Sequence, residues 1–160
     1  MKKTLKWINE NFEELLMSYS LWAVVLIMGA QIIMRYIFRS SLSWSEELAR
    51  YFFIWFAFLG VSHGVYANTH VKLDFIQTFF PKMEKPLEYT GDLIFIIFAI
   101  YMVKPGVKVI KFLIATKQSS PAASIPMYFV YVSLLVGIIL TLLRFIQKYY
   151  NKLFNRGGER

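Results

Sequence analysis

Four stretches without a charged residue constrain this chain more than any other feature of its sequence. They cover residues 15–34, 51–71, 93–103 and 118–143, which are 20, 21, 11 and 26 residues long. A helix that crosses the hydrocarbon core of a bilayer needs about 20 predominantly apolar residues. Three stretches are long enough by themselves, and the third becomes long enough when the mostly apolar segment before Asp92 is added to it.

The composition supports a membrane protein. Of the 160 residues, 57% are hydrophobic and only 18% are charged, against about 25% charged in soluble domains. The net charge of +8 could suggest a nucleic-acid partner, but the lysines and arginines flank the apolar stretches, as in membrane proteins. We therefore predict an all-α integral membrane protein without a nucleic-acid partner, in which residues 1–160 form a single membrane domain. Its four transmembrane helices are expected at about 15–36, 46–68, 87–104 and 124–145.

Two further helical segments are predicted at the membrane surface. Apolar residues recur at helical spacing in residues 3–14, which predicts an amphipathic interfacial helix before the first span. Glutamates interrupt this segment, so it is not expected to be a cleaved secretory signal. After the third apolar stretch, Lys104, Lys108 and Lys111 share one helix face, and Pro105 and Gly106 lie at the join. This pattern predicts a kink followed by an interfacial arm or a long tilted helix end.

Basic residues indicate the orientation of the spans. Four spans place 11 lysines and arginines on the side of the termini and 7 on the other side. Because cytoplasmic loops carry the excess of basic residues, both termini are predicted to be cytoplasmic.

The hairpin that joins the first two spans, including the helix ends on both sides of the turn, is the part of the chain richest in charge. It contains Arg35, Arg39, Glu46, Glu47 and Arg50. Ser43 and Glu46 form a capping-box pattern, so the second helix should start near Trp44. One interpretation is an ion network that fixes the hairpin or docks a partner subunit, since opposite charges lie across a short turn. The alternative is that these charges only snorkel to the membrane interface.

Small residues and basic residues mark two further surfaces. Ala57, Gly60, Gly64 and Ala67 follow helical spacing in the second span, which favours close helix packing. Below the last span, a series of basic residues at intervals of four is expected to bind anionic lipid headgroups. The members of this series assigned to headgroups are Arg144, Lys148 and Lys152.

Chemistry-bearing residues are few. His63 lies within the second span and His70 near its end, on one helix rather than on facing helices, which disfavours haem. His63 is a candidate for proton or transport chemistry, although a packing role is commoner. The absence of cysteine excludes disulfides and thiolate metal ligands, and no catalytic triad or phosphate-binding loop is visible. We predict no catalytic residue, metal or cofactor. No acidic residue lies near the centre of a span, so a self-sufficient cation-coupled transporter is not expected.

The chain resembles the small membrane subunit, DctQ type, of tripartite ATP-independent periplasmic (TRAP) transporters. The similarity covers about residues 15–145. It rests on residues at the first hairpin, along the second span and before the fourth span: Arg35, Tyr36 and Phe38; Trp44, Glu46, Glu47, Ala49 and Arg50; Trp55, Phe58, Leu59 and Gly60; His70, Val71 and Asp74; and the segment 120–126.

The resemblance implies a non-catalytic subunit in the bacterial inner membrane. Such a subunit packs against a large DctM-type subunit that holds the sodium and substrate sites, while a periplasmic binding protein delivers an organic acid. Membrane lipids would be further partners. One competing interpretation is a membrane anchor of a respiratory enzyme that binds quinone or haem. Another is a small drug exporter. Such an exporter needs a glutamate in the middle of the membrane, and this chain has none there.

Overall fold

The computed structural model describes the backbone of residues 2–66 and 84–154. Side chains are described for residues 11–66 and 89–150 and for Pro86. The described chain contains four helices: α1 (Lys2–Tyr36), α2 (Ser43–Tyr66), α3 (Glu84–Ala115) and α4 (Met127–Phe154). Each contains a segment long and apolar enough to cross a membrane, namely Asn11–Tyr36, Ser43–Tyr66, Tyr89–Ala115 and Met127–Tyr150. The predicted all-helical architecture with four spans is therefore confirmed.

The helices pack in an order that differs from their order in the chain. Helix α1 packs on α2, α2 packs on α4, and α4 packs on α3. Helices α2 and α4 therefore form the centre, and α1 and α3 flank them. We call the end with connections 37–42 and 116–126 the hairpin end, and the opposite end, where Glu13 and Arg144 lie, the terminal end.

Helices α1 and α3 extend furthest beyond their predicted spans. Helix α1 is continuous from Lys2, so the predicted interfacial segment 3–14 belongs to the same helix as the first span. Its placement at the membrane surface stays a prediction. Helix α3 continues through Pro105 to Ala115, well beyond the predicted end of its span at residue 104. Neighbouring helices allow a proline inside a membrane helix because they compensate for the lost backbone hydrogen bond.

Each helix that ends at the hairpin end is followed, two or three residues later, by a cationic residue in the left-handed region. Arg39 has a φ of 52° and Lys117 a φ of 50°. After α3, the backbone N–H of Gln118 donates to the carbonyl of Leu113 at 3.3 Å, and the Lys117 N–H donates to that of Ile114 at 3.3 Å. This is the Schellman arrangement, in which glycine is the usual left-handed residue.

The 116–126 connection folds back on itself. The Ser120 N–H donates to the Ile125 carbonyl at 2.9 Å, and the Met127 N–H donates to the Gln118 carbonyl at 3.0 Å. These bonds satisfy backbone groups that would otherwise be exposed near the membrane. The connection is therefore a closed, ordered loop that can serve as a docking element for another helix.

Two glycines lie in close contact with a neighbouring helix. A Cβ added at Gly137 would lie 2.8 Å from the Cβ of Phe58 and 2.9 Å from its carbonyl oxygen. A Cβ added at Gly106 would lie 2.7 Å from a methyl carbon of Leu135. Gly137 thus allows α4 to approach the backbone of α2, and Gly106 allows α3 to approach α4. Close approach of this kind holds helices together in lipid, where the hydrophobic effect contributes little between helices.

Candidate functional site

A buried ion pair joins the first and last helices at the terminal end. The Nε of Arg144 donates to Oε1 of Glu13 at 3.0 Å, and the two side chains are only 5% and 1% exposed. The Ser62 hydroxyl of α2 donates to the same carboxylate oxygen at 2.8 Å. One carboxylate therefore connects three helices, α1, α2 and α4.

The Arg144 guanidinium has further partners. It donates to the side-chain oxygen of Gln147 at 2.8 Å and lies 4.6 Å from the ring centroid of Tyr66, in cation–π geometry. The second oxygen of Glu13, Oε2, is buried without a hydrogen-bond partner among the described residues. In this cluster, Arg144 makes several contacts, whereas Glu13 accepts its hydrogen bonds through the single oxygen Oε1.

A second buried carboxylate connects α3 to α4 at the same end. Asp92 accepts a hydrogen bond from Nζ of Lys148 at 2.7 Å and one from the Tyr149 hydroxyl at 2.9 Å. Asp92 is 7% exposed. Each flanking helix therefore places one acidic residue against a cation of α4. Buried ion pairs that are also hydrogen-bonded fix helix positions, so these clusters have the chemistry of structural clamps.

At the hairpin end, Glu46 is bonded to α1. The amide nitrogen of Gln31 donates to Oε1 of Glu46 at 2.8 Å, and the Ser45 hydroxyl donates to the amide oxygen of Gln31 at 2.6 Å. Gln31 and Ser45 are both buried. This arrangement joins the end of α1 to the first turn of α2.

Glu47 holds the 116–126 connection. Its Oε2 accepts hydrogen bonds from the backbone N–H groups of Ala123 at 2.9 Å and Ala122 at 3.2 Å. Backbone N–H groups that converge on a carboxylate form charge-assisted bonds, which are stronger than neutral ones. Glu47 thus couples the start of α2 to the 116–126 connection.

The structure does not bring the predicted ion network together. Arg35, Arg39 and Arg50 are exposed, and none of them forms an ion pair with Glu46 or Glu47 in the part of the chain that the structure describes. The physical reason is that the two glutamates point to Gln31 and to the 120–123 backbone instead. The role of these five residues at a subunit interface stays a prediction.

The predicted stripe of small residues is only partly used inside the chain. A Cβ at Gly60 would lie 3.4 Å from Cε of Met17 on α1, whereas one at Gly64 would meet nothing within 4 Å. Ala57 is exposed, and Ala67 lies outside the described residues. Gly137 and Gly106 make the closer approaches. Gly137 lies between the buried Ser133 and Thr141 at intervals of four, a small-residue pattern that could have revealed it, whereas Gly106 has no such pattern around it.

The three cations assigned to lipid headgroups have different positions. Arg144 faces the interior of the bundle and pairs with Glu13, and Lys148 pairs with Asp92. These internal pairs are the correction that the structure makes to the expected outward-facing series. The side chain of Lys152 is not described. Pairing between residues 131 positions apart has no local signal in the sequence.

His63 is near Tyr66, with ring centroids 6.2 Å apart, and its Nδ1 is buried without a hydrogen-bond partner among the described residues. His70 lies outside the described residues. Within residues 11–66 and 89–150, no group of three histidine or carboxylate side chains could hold a metal ion. The geometry therefore offers polar clusters that fix helices, and among the described residues His63 has no hydrogen bond to a carboxylate.

Comparison with known proteins gives a consistent result. The model of the family described as tripartite ATP-independent periplasmic transporters, DctQ component, matches residues 24–155. The putative TRAP transporter small permease protein of Haemophilus influenzae is 28% identical over 143 residues, which are 88% of this chain and 87% of that protein.

Longer permeases also contain a region similar to this chain. The isethionate TRAP transporter permease protein DctMQ of Oleidesulfovibrio alaskensis is 27% identical over 150 residues, which are 89% of this chain and 24% of that protein. The sialic acid TRAP transporter permease protein SiaT of Haemophilus influenzae is 38% identical over 90 residues, 56% of this chain and 14% of that protein. The chain thus spans less than a quarter of each of these two relatives.

Proposed function

We infer the function from one premise: the chain belongs to the DctQ-component family of tripartite ATP-independent periplasmic transporters, whose model matches residues 24–155. It is a small TRAP permease subunit, and hence a multi-pass membrane protein and a component of transport machinery, as the resemblance predicted. The family match and the relatives named above are all TRAP components. They give no support to the alternative of a respiratory membrane anchor.

Beyond this, we propose that the chain packs against a large DctM-type membrane subunit and has no catalytic activity of its own. The proposal is supported by the permease named DctMQ, a longer protein of which one region is similar to most of this chain. A region retained within a longer permease is expected to contact the rest of it.

One structural observation carries the scaffold role. Both buried carboxylates of the described chain, Glu13 and Asp92, are already paired with cations of α4. A cation-coupled transporter needs a carboxylate or broken helices at an ion site. The described spans are continuous helices, and their buried acids are engaged. The chain therefore acts as a static scaffold, while the sodium and substrate sites lie in the large subunit.

The substrate class proposed for the assembled transporter is an organic acid that a periplasmic binding protein delivers. Relatives are named for isethionate, sialic acid and C4-dicarboxylates, which share an acidic group. The exposed arginines of the hairpin end are available to contact the large subunit or the docked binding protein. Lys152 is the remaining candidate for anionic lipid headgroups.

We also propose an inner-membrane location with both termini in the cytoplasm. Outside the four candidate spans, nine lysines and arginines lie on the side of the termini and only two, Arg39 and Lys117, lie on the hairpin side. This bias is larger than the whole-chain count of 11 against 7, because several basic residues fall within the spans. Cytoplasmic termini follow from the positive-inside rule.

Transport by the chain alone tests the scaffold role. The purified chain is reconstituted into liposomes with an inward sodium gradient, with and without its large subunit, and supplied with radiolabelled isethionate, sialic acid or succinate plus the matching binding protein. No concentrative uptake is expected without the large subunit. Uptake by the chain alone would show that the scaffold role is wrong.

The orientation has a separate test. Because the chain has no cysteine, single cysteines at Ser41 and Thr78 can be labelled in intact spheroplasts with an impermeant maleimide. Ser41→Cys should react and Thr78→Cys should react only after the membrane is permeabilised. The opposite pattern would invert the proposed orientation.

A further inference from the structure

A row of three lysines runs along the outward face of α3. Lys104, Lys108 and Lys111 are exposed and occupy positions i, i+4 and i+7, which share one side of a helix. The opposite side of α3 carries Gly106 and Leu113, which are buried. The lysine row therefore points away from the rest of the described chain. None of the three forms an ion pair with another side chain in the described ranges.

Contacts with α4 give the depth of this row. Asp92 of α3 bonds to Lys148, and Gly106 lies against Leu135, so the two helices are antiparallel and in step. Lys104 then lies at the level of Gly137. Gly137 is ten residues, about 15 Å, from the start of α4. The candidate span Met127–Tyr150 has 24 residues, or about 36 Å, so Lys104 lies near its middle.

The remaining two lysines step from this depth towards the hairpin end. Lys108 lies about 6 Å and Lys111 about 10 Å closer to that end than Lys104. Lys111 is near enough for its flexible stem to bring the ammonium group to the headgroups. Lys104 and Lys108 lie deeper, where a charged side chain facing lipid is strongly unfavourable.

The other flank of the protein does not share this feature. The outward residues of α1 at comparable depth are apolar, among them Trp22 at 65% and Leu26 at 65% exposed. In the half of α3 nearer the terminal end, the same outward face carries Leu93, Ile97 and Ile100, also exposed. Among the described outward faces of α1 and α3 at this depth, the lysine row interrupts a surface that is otherwise lipid-compatible, so something other than lipid tails must cover it.

We propose that the lysine row of α3 is a contact surface for the large permease subunit, and that it receives a membrane-embedded helix carrying carboxylate side chains. This inference rests on the proposed association of the two subunits. Residues in membranes that carry charge pair with opposite charges at the same depth. A helix with acidic residues one turn apart matches the spacing of Lys104 and Lys108. A phospholipid phosphate is disfavoured as the occupant, because it would have to sink to the middle of the bilayer.

Removal of the charge at constant side-chain length tests this contact. Three versions of the tagged chain are each co-expressed with the large subunit. They are the parent, the double variant Lys104→Met plus Lys108→Met, and the single variant Lys117→Met. The last is the matched control, since Lys117 is exposed on the same helix end but lies beyond the candidate span. The double variant should recover at least tenfold less large subunit than the parent, and the control should recover an unchanged amount. Lys104→Arg with Lys108→Arg should retain the association.

Two measurements separate this contact from misfolding. The isolated double variant should unfold at or above the parent's temperature, because methionine suits a lipid or detergent environment better than lysine does. A photoreactive residue in place of Lys108 should cross-link to the large subunit, whereas one in place of Leu26 should not.

The possible outcomes are distinguishable. If the parent recovers the large subunit and the double variant recovers it equally well, the inference is wrong and the proposed function stands. If that variant instead loses co-purified phosphatidylglycerol, lipid is the occupant and the inference is likewise wrong. If the parent itself recovers no large subunit, the proposed association fails, and the inference falls with it.

Discussion

The Glu13–Arg144 pair should determine the stability of the bundle at its terminal end. Glu13→Ala removes the carboxylate that joins three helices and takes one ion-pair partner from the buried Arg144 guanidinium. Breaking a buried pair by removal of one member costs about 3 to 5 kcal/mol. Both side chains are at most 5% exposed, so little of this cost is relieved by solvent. For a chain of this length, that loss corresponds to a fall of roughly 6 to 20 °C in Tm, on the scale of soluble proteins.

The measurement is unfolding of the purified chain in mixed micelles, with SDS as the denaturant and tryptophan fluorescence as the signal. Trp55 is a suitable reporter because its ring lies 5.6 Å from that of Phe129, across the interface of α2 and α4. Glu14→Ala is the matched control, since this neighbouring acid is exposed. It should change the free energy of unfolding by no more than about 0.5 kcal/mol.

A double replacement separates the lost pair from the lost side-chain volume. Glu13→Leu combined with Arg144→Met removes both charges and should recover most of the stability, since apolar replacement of a whole buried pair is often neutral or stabilising. Equal stabilities for Glu13→Ala and Glu14→Ala would refute the reasoning. Such a result would mean that the pair is hydrated and that it does not clamp the helices.

Three further predictions concern the packing and the hairpin end. Gly137→Ala should lower the free energy of unfolding by about 1 to 3 kcal/mol, because its Cβ would lie 2.8 Å from Phe58; Gly64→Ala, which meets nothing within 4 Å, is the control and should not be destabilising. Glu47→Ala should accelerate hydrogen exchange of the backbone amides at 122 and 123, and unchanged protection there would contradict the docking role of Glu47. Lys117→Gly should raise the free energy of unfolding by up to about 1 kcal/mol, since glycine adopts a positive φ without steric cost; a loss of stability would count against strain at this position.

The spans could be predicted from the sequence because each depends on local composition. A helix long enough to cross the membrane needs only its own apolar residues, and all four were found in this way. The boundaries of α3 were harder to predict, because Pro105 and three lysines suggested an interruption. Packing of Gly106 on α4 is not visible in that local pattern, and the helix continues past the proline.

The polar clusters could not be predicted for a different reason. Arg144 pairs with Glu13 across 131 residues, and nothing near either residue specifies the other. The first hairpin was expected to pair its own arginines and glutamates because they are close in sequence. Instead, Glu47 bonds to a connection 75 to 76 residues further along the chain. Partner choice depends on which helices are neighbours, and this order is set by the packing of all four.

Helix α4 supplies the cations that pair with both buried carboxylates, and this has a consequence for biosynthesis. Glu13 and Asp92 enter the membrane before Arg144 and Lys148 have been synthesised. At about 5 to 20 residues per second, the 131 residues between Glu13 and Arg144 take roughly 7 to 26 seconds to translate. During this interval Glu13, joined later by Asp92, has no cation from α4 to pair with. A chain truncated after α3 would keep that state permanently, so a membrane protease should degrade it faster than the full chain in a pulse-chase experiment. Synthesis of the last helix thus completes both ion pairs.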